Sequence, residues 1–93
     1  MKTIASKKDN TSTDETLLAL IYKYCGLRNV SKEDLAVAMY FSRSTLYNRL
    51  RAPSTFTFEE LKRLFKILRF SDEDMVRYTR LLMRDLTSLD LVS

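Results

Sequence analysis

One glycine and one proline in 93 residues leave this chain almost without the residues that break regular structure. Whatever divides it must come from side chains that cap helices. Such caps recur. Ser12 with Glu15, in STDE, fits a capping box: the hydroxyl takes an orphan N–H of the first turn while the carboxylate reaches back to the cap's own N–H. The helix it opens carries Leu17, Leu18, Leu20, Ile21, Tyr24 and Cys25 on its inner side, with Gly26 as the expected stop. Ser31, in SKED, caps a second helix with Leu35, Ala36 and Met39 inward, and Ser42 starts a third just after it. Thr57 with Glu60, in TFEE, opens a fourth whose Leu61, Leu64, Phe65 and Leu68 repeat at i, i+3, i+4 and i+7. Ser71 with Asp74 opens a fifth over 72–89. Nowhere do β-branched residues alternate over the length a strand needs. The expectation is an all-α chain, a compact bundle of about five helices forming one domain over 12–93, behind a polar, basic arm at 1–11.

Composition narrows the chemistry. The chain has a single cysteine and no histidine, which removes an internal disulfide, a structural zinc site and every catalytic arrangement built on imidazole. Its carboxylates cluster at helix starts, where caps and the helix dipole account for them. Neither an enzyme, a metal site nor a cofactor is expected. No apolar run approaches the roughly 20 residues of a membrane helix, and MKTIASKKDNTSTD lacks the apolar stretch of a signal peptide, so the expected location is the cytoplasm, away from membranes. The net charge of +4 is unevenly spread: residues 1–13, 31–52 and 53–70 each carry +2, residues 14–30 are neutral and residues 71–93 carry −2. A basic middle with an acidic C-terminal end suits a nucleic-acid binder whose far end meets another partner.

The segment FSRSTLYNRL at 41–50 sharpens that reading. Two short helices joined by a tight turn, with small Ala36 where they cross, have the form of a helix-turn-helix over 31–51. Leu46 and Leu50 would anchor the third helix from below, leaving Arg43, Ser44, Tyr47, Asn48 and Arg51 outward. Arg can fork onto guanine O6 and N7, Asn can do the same for adenine N6 and N7, and a good bidentate contact discriminates by roughly 1–3 kcal/mol. Ser42, its neighbouring hydroxyls and Arg51 suit phosphates, and no acidic residue occurs from 35 to 58.

Residues 31–71, from SKEDLAVAMY through SRSTLYNRL to FTFEEL, resemble the phage-repressor and Cro-type helix-turn-helix domains, called xenobiotic-response-element-like, and within them the small prophage and Gram-positive members. The resemblance implies double-stranded DNA as partner, with the third helix in the major groove. It matches Arg43, Ser44 and Asn48, with Tyr47 beside them, to base-reading positions. It matches Lys32 to a phosphate contact, and Thr55, Phe56 and Thr57 to a loop offering backbone N–H groups to phosphate, a role also suited to a capped helix start. The chain departs from the pattern at Tyr40, where the family has glycine in the turn, and at Arg49, where it has an aliphatic residue. The first implies a residue with positive φ at a cost of roughly 1 kcal/mol; the second leaves the rotation of the third helix open.

The fifth helix has more apolar residues than one buried face needs. Met75, Thr79, Leu82, Leu86 and Leu89 form a seam of near-heptad spacing; it either packs against the first helix or, the favoured expectation, is the surface of a homodimer. The leading expectation is therefore a small transcriptional regulator, a repressor by occupancy. The alternatives are a DNA-binding accessory factor in excision, packaging or toxin neutralisation, with a heterologous protein on the same seam, or a protein-interaction bundle that binds no DNA. Lys2, Lys7 and Lys8 of the arm suit either a phosphate contact or plain solvation.

Overall fold

Leu17, Leu20, Ile21 and Tyr24 sit at i, i+3, i+4 and i+7, and this stripe is the spine of the structure: all four are buried. The structure, a computed structural model, describes the backbone of residues 3–92 and the side chains of 13–87. The first helix already runs from Thr3, so residues 3–11 of the expected arm are helical and Ser12 lies inside the helix instead of capping its start; the side chains of 1–12 and of Leu89 lie outside those described. Through the described residues five α-helices and one 3-10 turn succeed one another: α1 (Thr3–Arg28), α2 (Lys32–Met39), α3 (Arg43–Arg51), the turn Pro53–Thr55, α4 (Phe58–Leu68) and α5 (Asp72–Val92). Among the described residues there is no strand. The fold is the all-α bundle expected.

Four caps fall where the residues placed them. Ser31 and Asp34 form a complete capping box on α2, as do Thr57 and Glu60 on α4. The Ser42 hydroxyl accepts the Thr45 N–H at the start of α3. At α5, Ser71 Oγ accepts the Asp74 N–H at 3.1 Å, but the return bond is replaced. The hydroxyl of Tyr24, from α1, accepts the Ser71 N–H at 3.0 Å and donates to Asp74 Oδ2 at 2.5 Å. Lys23 Nζ reaches the same oxygen at 3.0 Å. The Tyr24 hydroxyl bond first, then Lys23, holds the Asp74 carboxyl below its ordinary value.

The helix stops differ from expectation. Gly26 lies inside α1, which runs on to Arg28 and ends at Asn29 with φ 58°. Tyr40 (φ 62°) ends α2 and Arg69 (φ 54°) ends α4. The next residue after each stop is apolar, and its N–H returns to a carbonyl five residues back: Val30 to Cys25, Phe41 to Ala36 and Phe70 to Phe65. This is the Schellman closure made without glycine. The left-handed cost at Tyr40 and Arg69, roughly 1–2 kcal/mol each, is offset by burial of the neighbouring phenylalanine, in part for Phe41 and fully for Phe70. Phe70 also stacks on Tyr24 at 4.7 Å and meets Phe65 at 4.9 Å. Arg28 adds a cap from outside, donating to the carbonyls of Leu68 and Arg69 at the end of α4.

Tyr24→Phe keeps the ring on Phe70 and deletes only the hydroxyl, taking from the Ser71 amide its acceptor and leaving Lys23 as the one donor on Asp74 Oδ2. Denaturant titration should show a loss of about 1–3 kcal/mol at neutral pH. Because the folded state lowers the Asp74 pKa, that carboxylate's contribution is present above the ordinary Asp range and fades as pH falls through it. The gap between parent and variant should therefore narrow below about pH 4.

Candidate nucleic-acid interface

α3 is held by two buried leucines and one ion pair. Leu46 and Leu50 are 1% and 7% exposed, pointing the opposite face of the helix away from the core. Arg49, which replaces the expected aliphatic residue, does not face solvent freely. Its guanidinium forks onto Glu60 of α4, with Nε at 2.9 Å and Nη2 at 3.2 Å from the two carboxylate oxygens, and lies 5.5 Å from the Phe41 ring centre. Glu60 Oε1 also accepts the Thr57 N–H in the α4 capping box. Arg49 chiefly, helped by the Thr57 bonds, lowers the Glu60 pKa, although partial burial opposes this. One carboxylate thus closes the start of α4 and fixes the rotation of α3.

With that rotation set, Arg43, Ser44, Tyr47, Asn48 and Arg51 are all exposed, and α3 contains no acid. Arg51 Nη2 lies 3.4 Å from the Asn48 side-chain oxygen. Ser42 is exposed as well, its hydroxyl 2.9 Å from that of Thr45. Lys32, on the first turn of α2, places its ammonium 5.5 Å from the ring centre of Tyr22 and 5.7 Å from that of Tyr47, so α1, α2 and α3 meet in one aromatic–cation group. Beside it, Arg43 Nη2 is 3.5 Å from Glu33 Oε2. These side chains are 68% and 64% exposed, and such a pair contributes at most about 1 kcal/mol to stability. Lys32, Glu33, Arg43 and Tyr47 rim a cleft of about 220 Å³ floored by Ala36, Phe41 and Leu46.

The loop before α4 is differently placed. The Thr55 N–H goes to Ala52 O, the Phe56 N–H to Pro53 O and the Thr57 N–H to Glu60, so all three amides are used within the chain. Phe56 is itself buried. The Thr55 hydroxyl also donates within the chain, to Ala52 O, and the loop stands beside the carboxylates of Glu59 and Glu60 in the first turn of α4, so the expected amide site for phosphate is not formed.

On α5, Met75 and Leu82 are half-buried against the core, whereas Thr79 and Leu86 are exposed. The apolar residues turned outward are Val76, Met83 and Leu86, each more than half exposed. Val76 and Met83 are seven residues apart, so they share a stripe displaced by one residue from the Met75–Leu82 pair. Tyr22, Glu33 and the Arg49–Glu60 pair are the parts of this surface that local sequence signals did not mark. Among the described residues no three His, Cys, Asp or Glu side chains gather as a metal ion would require, and no helix there is long and apolar enough to cross a membrane. Burial raises the pKa of the half-buried Cys25, keeping it a thiol. Comparison of the chain with protein-family models, curated proteins and solved structures finds no match.

Glu60→Gln should lower the denaturation midpoint at neutral pH by leaving Arg49 without its charged partner. The parent's Glu60 contribution exists above the ordinary carboxyl value of 4.5 and disappears as pH falls below it, since the folded pKa is the lower one. A pH series of unfolding curves should show a shallower acid limb in the variant.

Proposed function

We propose that this chain is a sequence-specific, double-stranded DNA-binding transcriptional regulator that reads the major groove with α3 and represses by occupying its site. The observation that carries the reading is an acid-free helix, anchored by Leu46, Leu50 and the Arg49–Glu60 pair, that turns Arg43, Ser44, Tyr47, Asn48 and Arg51 to solvent. Those are the side chains that form bidentate contacts to purine edges or reach sugars and phosphates. Lys32, and the basic residues of 31–70, supply the sequence-independent attraction to the backbone. The α2–turn–α3 unit acts as the helix-turn-helix, and the resemblance of 31–71 to phage-repressor domains favours a prophage or other mobile-element setting in a cytoplasm.

The outward Val76, Met83 and Leu86 favour a protein contact on α5, in the segment 71–93 whose net charge is −2. A second copy of the chain is the occupant that suits a palindromic site, since two-fold pairing places two α3 helices one helical turn apart. A heterologous protein on this stripe is the corresponding reading for an excision, packaging or antitoxin factor.

Selection from a randomised duplex pool should enrich a palindrome with half-sites about one helical turn, or roughly 10 bp, apart. Arg43→Ala and Asn48→Ala should each relax defined positions by about tenfold in preference. No enrichment at moderate salt would overturn the reading. In sedimentation, the parent should run at twice its 10.9 kDa chain mass and the Met83→Glu/Leu86→Glu variant at once that mass. Equal masses would remove α5 as the interface.

A further inference from the structure

We infer that Glu33 is a specificity-determining residue: its carboxylate, on the first turn of α2, holds the Arg43 guanidinium for base reading and keeps it from pairing with phosphates. The inference rests on the DNA-reading role proposed above. Arg43 is the first residue of α3, a long side chain on an exposed face, and Glu33 is its one polar partner among the described residues, at 3.5 Å. Unheld, such a side chain samples many rotamers and satisfies itself with any nearby anion. A carboxylate on one Nη leaves the remaining donors of the guanidinium fork for guanine O6 and N7.

Two further observations point to the same part of α2. Lys32, the preceding residue, contacts Tyr47, and Arg43 and Tyr47 are four residues apart on one face of α3. Consecutive residues of α2 therefore brace consecutive turns of α3. Glu33 is also not needed to close its own helix, because Asp34 is the carboxylate of the α2 capping box. A carboxylate at the rim of a basic surface opposes every phosphate of an approaching duplex, whatever its sequence. Such an element lowers affinity for all duplexes and is recovered only where Arg43 finds its base, which raises the ratio of specific to non-specific binding.

The test compares the full-length parent, Glu33→Gln, Arg43→Lys and the double variant by duplex selection and by titration of the selected and an unrelated duplex over a salt series. Glu33→Gln should bind the unrelated duplex more tightly, and its log K against log salt should steepen by about 0.9, one added phosphate contact. Its preference should fall about tenfold at one base pair only, the pair that Arg43→Lys also relaxes. In the Arg43→Lys background it should change that preference no further. A helix-stability role for Glu33 would instead weaken binding to both duplexes and leave the motif intact. If the parent selects a clear motif and Glu33→Gln selects the same one with undiminished preference, the inference is wrong while the DNA reading stands. If the parent selects no motif, both fall.

Discussion

The hydroxyl of Tyr24 is the point at which the bundle closes. It stands between the Ser71 amide and the Asp74 carboxylate, so the start of α5 is capped partly by a residue 47 positions earlier on α1. The ring carrying it stacks on Phe70, the residue that closes α4. One side chain therefore joins the end of α4 and the beginning of α5 to α1, and it does so where a buried acid needs donors. A buried polar network of this kind is costly when incomplete. Here no buried side-chain nitrogen or oxygen among the described residues lacks a partner.

The other half of the molecule depends on Glu60 in a comparable way. α3 contributes only Leu46 and Leu50 to the core, and two aliphatic contacts leave a nine-residue helix free to roll. The Arg49–Glu60 fork prevents this, and Glu60 is itself positioned by its bond from the Thr57 amide. The same roll decides whether Asn48 and Tyr47 or some other pair faces outward. The geometry of the candidate reading face is thus set by a charged pair on the side of α3 turned toward α4.

The first turn of α2 links that face to the body. Lys32 joins Tyr22 and Tyr47, Glu33 joins Arg43, and Asp34 caps the helix. Three adjacent charged residues, which in sequence look like an ordinary solvated turn, have three separate environments. The difference arises because successive residues on a helix point about 100° apart, so only their neighbours in space can distinguish them.

Helix content, four of the helix starts and the inward sides of α1 to α4 were legible in the sequence, because caps and apolar periodicity act within one or two turns of chain. The outward composition of α3 was legible for the same reason, once Leu46 and Leu50 were recognised as its anchor. The stops were not: Asn29, Tyr40 and Arg69 adopt a conformation that favours glycine, and each is held there by burial of the apolar residue next in the chain. Nor was the role of Arg49, whose partner is eleven residues away on another helix, or the choice of Val76 and Met83 over Met75 and Leu82 as the outward stripe of α5. By itself the sequence determined which segments become helices and which chemical groups they carry. Only the tertiary structure decided how each helix is rotated, because rotation depends on contacts between residues that no local rule brings together.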